Sequence, residues 1–338
     1  MIIFIDQKKY YRNNIKGKIM SSEKYIKKIA EEPNIFGDGI AYLQQWDFSK
    51  ANMNDVSRIE AITTVASVCY DNPNVIGKEN LYNRLKAESM GLPSSSFEFV
   101  PVLIDTVNFN KIVKFYLNLF RHDEIDDKFI LNIEKYGEWI SEDGAKYLLT
   151  NYRALLADHE IIKNVDKIIK NVNDYEDITQ IYNTESECEI IKKHNNTFLC
   201  KMDIATSKQH NRHRISLQEL SRRYVSGKKT EFEFYHSKEL DKVVSLNEWV
   251  ESPDDIISDQ FSTRDLTQLM VDHYFEALKR GVKPQEARRI LPQSMYTTIW
   301  SSFLPFQLEN YLGLRDDLHA QDEIRWIAQA MKKLLKRD

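Results

Sequence analysis

Apolar residues along this chain recur at two periods, and the alternation between them marks out its elements. From Asn54 to Tyr70 they stand at Val56, Ile59, Ile62, Val65, Ala66 and Cys69, steps of three and four that predict an amphipathic helix. Met1 to Ile5 reads as a short strand, Ser22 through Ala30 as a helix, and the near-alternating run Phe109 to Leu117 as a strand. Trp139 to Leu149 predicts a hairpin turning at Asp143-Gly144, and Thr150-Asn151 then offers a cap to a new helix. Residues 158–196 read as a surface helix followed by a polar connector, and Thr197 to Ala205 as a strand. Ser216-Leu217-Gln218-Glu219 has the form of a capping box, so a helix is expected to start at Ser216 with Leu217, Leu220 and Tyr224 on one stripe.

After Tyr224 comes a polar loop with a strand-like Phe232-Glu233-Phe234-Tyr235. Ser262-Thr263-Arg264-Asp265 is a second capping box, opening a helix whose buried stripe is expected to be Leu266, Leu269, Met270, His273 and Ala277, with Gly281 closing it. Pro284 begins another helix that Pro292-Gln293 stops, and a last one packs through Ile324, Ile327, Ala328, Met331 and Leu335. Helices and strands are both plentiful, which makes the fold class α+β.

Composition narrows the picture. At 338 residues, 42% hydrophobic and 29% charged, the chain can bury one large core or two ordinary ones. A net charge of −4 argues against a general nucleic-acid binder. Cys69, Cys188 and Cys200 are too few and scattered for a disulfide framework or a paired-ligand zinc site, so no metal is expected. No apolar run approaches the ~18 residues of a membrane span, and Met1 to Ile5 followed by Asp6 and lysines is not ordered like a signal peptide. The expected location is cytoplasmic. Residues 1–50, Lys-rich and Tyr-rich, form an N-terminal arm without a motif.

Against this mildly acidic background Gln209 to Tyr224 stands out, with Arg212, His213 and Arg214 in succession and Arg222 and Arg223 soon after. Two arginines feeding a helix N-terminus make an anion-binding geometry. The same pattern also describes a solvated basic face or a nucleic-acid contact, and a single His213 also describes a structural histidine.

Arg212-His213-Arg214, then six residues, Ser221, and Arg223-Tyr224 resemble the signature of the flavin-dependent thymidylate synthases, whose spacer is one residue longer. With Ser216 to Glu219 and the Ser-x-Arg-Tyr run intact, the deletion falls between Arg214 and Ser216. Ala66 to Tyr70 resembles a family segment near the flavin, which makes Cys69 a neighbour of the cofactor and not a nucleophile; a buried small residue is the other reading. Ser94 to Val100 resembles the family's Thr/Ser-x-Phe-Glu-His turn, with Ser95 and Glu98 at flavin-contacting positions and Phe99 where the His would stand. Glu98 and Arg212 lie 114 positions apart, far more than in the family, so residues of about 107–196 read as an insertion too long to lack structure of its own.

Within it, Asn151-Tyr152-Arg153-Ala154-Leu155 is similar to a family element normally near the C-terminus, where this chain has Leu304-Pro305. The insertion would then supply Asn151 and Arg153 in its place; a plain helix cap is the alternative. Ala287-Arg288-Arg289-Ile290-Leu291-Pro292 resembles a phosphate-binding element in which Arg288 takes the role, with Arg289 as the alternative register. Asn310-Tyr311-Leu312-Gly313-Leu314-Arg315 and the following His319-Ala320-Gln321 resemble the closing motif of the family.

The resemblance implies a central, mostly antiparallel sheet flanked by helices over residues 51–338, with an inserted α/β segment. It implies reductive methylation of dUMP with FAD as cofactor and methylenetetrahydrofolate and NADPH as co-substrates. FAD would be held by Ser95, Glu98, Asn151, Arg212, His213, Arg214 and Asn310, and dUMP by Gln209, Glu219, Ser221, Arg223, Arg288 and Arg315. Arg315, Ser221 and His213 would be the residues at the reacting atoms. The resemblance further implies a homotetramer with sites shared between subunits. A phage-type pyrimidine hydroxymethylase, acting in the host cytoplasm, would share nearly all these residues, and so would a relative that binds nucleotides without turning them over.

Overall fold

Two neighbouring strands buried on both faces, Asn196–Asp203 and Tyr296–Phe303, lie inside the main sheet. The computed structural model describes residues 24–87, 93–119, 130–169, 178–227, 231–252 and 255–337. In chain order the strands are β1 (Lys27–Pro33), β2 (Tyr42–Asp47), β3 (Pro101–Asp105), β4 (Glu138–Glu142), β5 (Ala145–Asn151), β6 (Asn196–Asp203), β7 (Ser216–Glu219), β8 (Val244–Ser252), β9 (Asp255–Ser262) and β10 (Tyr296–Phe303). The helices are α1 (Asp55–Tyr70), α2 (Glu79–Lys86), α3 (Thr106–Leu119), α4 (Asn132–Lys135), α5 (Tyr152–Ile169), α6 (Glu185–His194), α7 (Ile204–His210), α8 (Thr263–Lys279), α9 (Pro284–Ala287), α10 (Pro305–Arg315) and α11 (Asp322–Leu334).

The main sheet runs β1-β2-β6-β10-β7, every neighbour antiparallel. A smaller antiparallel sheet, β3-β5-β4, belongs to the 107–196 region and the strand leading into it, and β8 pairs with β9. The period of two in β6 sends Phe198, Cys200 and Met202 to one face, against α10 and α11, and Leu199 to the other. On that second face Leu199 and Trp300 share a core with Ala61, Ile62 and Val65 of α1 and with Leu155 of α5. Ile62 is fully buried there, and Ile62→Ala would cost about 2–5 kcal/mol.

A buried arginine joins these parts. Arg58 on α1 donates to Asn52 Oδ1 (2.7 Å), Thr179 O (2.9 Å) and Ile181 O (2.6 Å), and its guanidinium lies between the Tyr152 and Tyr182 rings at 4.0 and 4.1 Å. The charge is thereby hydrogen-bonded and stacked, as burial requires.

The predicted helix over 54–70 forms as α1, capped by Asn54 and Ser57 reciprocally, although Val56 is exposed. The hairpin turns at Asp143 (φ 50°) and Gly144 (φ 81°), the left-handed pair that a two-residue loop requires. Ser262 and Asp265 cap α8, and α11 buries Ile324, Ile327, Ala328 and Met331. The polar connector contains α6, with its own Thr184/Glu187 capping box and a buried Cys188.

Four expectations are corrected. Phe109 to Leu117 is helical, within α3, because Asp105 caps Asn108 N at 2.7 Å and the buried Ile112 and Tyr116 are four apart, a spacing that alternation conceals. Lys27 to Ala30 is strand, paired to β2, where a helix was expected; the start of that expected helix and the Met1 to Ile5 strand lie outside the described residues. Ser216 to Glu219 is β7, its backbone paired with Ile299 to Ser302, so the Ser-x-x-Glu string serves a sheet. On α8 the expected stripe faces outward, with Leu266, Leu269 and Met270 exposed. The helix packs instead through Thr267 and Tyr274, whose hydroxyl accepts from Gly227 N.

Candidate functional site

A cavity of about 1490 Å³ opens between the C-terminal part of the main sheet, α10, and the hairpin and α5. Among its lining residues are Glu98, Asn151, Arg153, Arg212, His213, Arg214, Asn310 and Arg315. They converge from segments that lie far apart in sequence.

The Arg212 to Arg214 turn is built by the abrupt end of α7. Asp203 caps that short helix at Thr206, a single 3-10 turn covers Asn211–His213, and Arg214 adopts the left-handed conformation at φ 49° before β7 begins. Its carbonyl accepts from Gln307 Nε2 at 3.3 Å, which ties the turn to α10. At the other end of α10, Arg315 Nε donates to His213 Nε2 at 2.6 Å and Arg315 Nη2 to Gln209 O at 3.0 Å. A guanidinium only donates, so His213 Nε2 is the acceptor and the ring proton resides on Nδ1.

Burial, and then the Arg315 charge, push His213 down to about 4, so it is neutral at physiological pH. Its ring meets the edge of Tyr311 at 4.6 Å, and the Tyr311 hydroxyl is 2.9 Å from His210 Nδ1. His210, wholly buried, is pushed down to about 3 by desolvation first and by the charges of His213 and Arg315 after it. Two neutral histidines and a tyrosine therefore back the one guanidinium of Arg315.

Opposite them, Arg153 Nη1 pairs with Glu98 Oε1 at 2.7 Å and Arg153 Nε donates to Pro93 O at 2.8 Å. Asn151 Oδ1 accepts from Ala154 N at 3.0 Å, so this residue caps α5 while also lining the cavity. Ser95 is placed outside the cavity lining; its hydroxyl bonds Gln218, whose amide donates to Cys69 Sγ at 2.6 Å, and the thiol in turn donates to Glu219 O at 3.0 Å.

The remaining residues expected at the nucleotide do not line this cavity. Gln209 bonds Gln321, and Glu219 accepts from Thr297 Oγ1 at 3.0 Å. Ser221 N donates to Cys69 O at 3.3 Å. Arg223 is exposed over the Tyr224 ring at 5.4 Å, and Arg288 is exposed in the 3-10 turn after α9, beside an Arg289 paired with Glu286 at 2.9 Å. In one subunit, then, the expected flavin set and Arg315 come together without Ser95, and the expected phosphate set stays apart.

Several lining residues were not anticipated: Lys135, Tyr136, Glu138, Thr150, Asn195, Ser302 and Phe306. Glu138 accepts from Phe306 N, at the N-terminus of α10, at 2.9 Å. No local signal marks these positions, since their role arises where the hairpin docks on a helix far downstream. Among the described residues no group of three or more His, Cys, Asp or Glu could hold a metal, and no helix is long and apolar enough to cross a membrane.

Comparison with known proteins adds to this geometry. The family model of the thymidylate synthase complementing proteins matches residues 132–338. The match starts within the 107–196 segment and leaves Ser95 and Glu98 before it. Similar curated relatives include the flavin-dependent thymidylate synthases of Aquifex aeolicus, 31% identical over 143 residues, of Thermotoga neapolitana, 32% over 145, and of Kosmotoga olearia, 34% over 149. Each alignment covers 41% of this chain and 44%, 61% and 61% of the respective relative, so the chain spans less than two thirds of their length. A solved UMP/dUMP methylase PolB from Streptomyces cacaoi, bound with 5-Br UMP, is 26% identical with a TM-score of 0.31, over 42% of this chain and 68% of that one.

Proposed function

The chain belongs to the thymidylate synthase complementing protein family, and on that premise we propose that it is a flavin-dependent enzyme that converts dUMP to dTMP, with FAD resident and methylenetetrahydrofolate and NADPH as co-substrates. The observation that carries this reading is the convergence of Glu98, Asn151, Arg212, His213, Arg214, Asn310 and Arg315 on one cavity. At about 1490 Å³ it exceeds the roughly 300–1,000 Å³ of ordinary small-molecule pockets, in keeping with a dinucleotide cofactor and a second reactant. The donor set fits such a cofactor: Arg212 and Arg214 suit its phosphates, and the side-chain amides of Asn310 and Asn151 suit its ring edges.

When bound, the flavin supplies the electron transfer. This chain's residues hold and orient the reactants. Arg315, with two of its N–H groups engaged by His213 and Gln209, presents its remaining donors in a fixed plane suited to a pyrimidine carbonyl edge. The neutral His213 fixes that guanidinium without adding a charge beside it. Ser221, Arg223 and Arg288, exposed or outside this cavity, would meet the nucleotide phosphate where subunits of a homotetramer join.

The test is an absorbance spectrum of the purified protein, then addition of dUMP, methylenetetrahydrofolate and NADPH with mass analysis of the nucleotide. A bound flavin and dTMP are expected. Hydroxymethyl-dUMP would assign the chain to the phage-type hydroxymethylases, and failure to bind flavin even when FAD is supplied would make it a relative without the chemistry.

A further inference from the structure

The ends of α7 and α10 meet in matched steps. On α10, Tyr311 and Arg315 stand four apart, so their side chains leave one face of the helix a turn from each other. Opposite them His210 and His213 stand three apart, His210 ending α7 and His213 in the 3-10 turn that follows. Two polar contacts result. His210 Nδ1 and the Tyr311 hydroxyl are 2.9 Å apart, and one turn on, His213 Nε2 accepts from Arg315 Nε at 2.6 Å. His210 and Tyr311 are fully buried, while His213 and Arg315 open on the cavity. The Tyr311 ring also joins the two contacts sideways. It stands 4.6 Å from the His213 ring, 5.2 Å from that of His210 and 5.3 Å from that of Phe303, steeply inclined to each.

Stability alone does not ask for a polar pair in this place. Two apolar side chains of similar shape would fill the space about as well. They would not leave His210 Nε2 buried with no hydrogen-bond partner among the described residues. What the polar pair adds is direction, because a hydrogen bond fixes distance and angle where apolar contact tolerates sliding. We propose that His210 and Tyr311 are positioning residues: their contact sets the register of α10 on the end of α7, and through it the direction in which Arg315 presents its donors to the cavity. Neither side chain lines the cavity itself. This inference rests on the reading of Arg315 as the residue that meets the pyrimidine edge.

The experiment is calorimetric titration of flavin-loaded protein with dUMP for the native chain, Tyr311→Phe, His210→Leu and His210→Asn, each also in an Arg315→Lys background, with a melting curve and a flavin spectrum for every variant. Tyr311→Phe keeps the ring and its packing, so it carries the test even where His210→Leu fails to fold. Both should weaken dUMP about tenfold, the size of a coupling between groups in contact, with flavin content intact. His210→Asn, whose amide still offers the hydroxyl a polar partner, should stay within about twofold of the native affinity. In the Arg315→Lys background the Tyr311→Phe loss should vanish, since a residue that acts through Arg315 has nothing left to position. Unchanged dUMP affinity in Tyr311→Phe overturns the proposal, and so does a loss that persists in full in the Arg315→Lys background. Affinity that merely follows the melting temperature, with His210→Asn no better than His210→Leu, overturns it too by making the pair structural. A native chain that takes up flavin but no dUMP overturns the reading of Arg315 and this inference with it, and the native titration alone reveals that.

Discussion

Arg315 Nε donates to His213 Nε2 at 2.6 Å, joining two residues 102 positions apart. The bond needs a neutral imidazole, and burial with the Arg315 charge keeps it so down to about 4 against an ordinary 6.5. An unfolded chain takes up protons at this ring below about 6.5 and the folded chain does not. Stability should therefore fall on acidification through the window between those values, with His210 adding in the same direction. His213→Gln, which keeps an acceptor that does not titrate, should melt with a shallower decline between pH 7 and 4 than the native chain. Equal slopes would show that the His213 ring is not held neutral.

The pair of Arg153 with Glu98, at 2.7 Å, is half-sheltered, the side chains being 35% and 23% exposed. Such a pair contributes about 1 kcal/mol, while leaving either partner alone in the cavity wall costs more. Glu98→Gln should lower the melting midpoint by a few degrees and weaken flavin binding by about tenfold, because the freed guanidinium no longer has a fixed direction. A double-mutant cycle with Arg153→Gln checks the coupling, and additive losses would dissolve the pair.

How far the sequence reaches is visible in two strings of the same form. Ser262-x-x-Asp265 and Ser216-x-x-Glu219 read alike, and only the first caps a helix. The difference lies some eighty residues downstream, where Ile299 to Ser302 offer β7 a partner that outweighs one local hydrogen bond. The expected stripe of α8 failed for a related reason. Leu266 and Leu269 lie on a different face from the residues that pack, Thr267 and Tyr274, with Met270 at the edge between them, and no property of the helix alone says which face the protein covers. That Arg212 to Arg214, Asn310 and Arg315 would meet in one cavity was legible because they stand in polar segments that resemble known motifs. Tyr136, Glu138 and Phe306 were not, since their neighbourhood is made by the docking of the hairpin on α10.

Asn151 has two tasks that one substitution separates. Its Oδ1 caps α5 at Ala154 N, 3.0 Å away, and its amide nitrogen remains for the cavity. Asn151→Ala should cost about 1 kcal/mol of stability through the lost cap. Asn151→Asp keeps the cap, so it should melt like the native chain and yet release flavin, its donor having become a charge. Flavin content unchanged in both variants would leave Asn151 a cap alone.

Leu269, 51% exposed between Leu266 and Met270, is a large apolar surface on α8. Under the homotetramer proposed above, with Arg223 and Arg288 at subunit contacts, a second copy is expected to cover this helix. Leu269→Glu should then shift the assembly toward smaller species in light scattering and raise the KM for dUMP severalfold with flavin content intact. An unchanged mass would place the contact elsewhere.

Arg214 combines a place in the cavity lining with backbone strain. Its φ of 49°, one residue before Ile215 and β7, is a left-handed conformation that costs a side-chain-bearing residue about 1–2 kcal/mol. Glycine removes that cost but adds about 0.5–1 kcal/mol of unfolded-chain freedom. Arg214→Gly should accordingly stabilise by about 0.5 kcal/mol, and Arg214→Asn, with a residue tolerant of this region, by a similar amount. Both remove a cation from the cavity, so flavin affinity should fall by about tenfold or more as the melting temperature holds or rises. Opposite movement of these two readouts is the mark of strain kept for binding. A fall in both would mean that the guanidinium, and not the turn, was stabilising the fold.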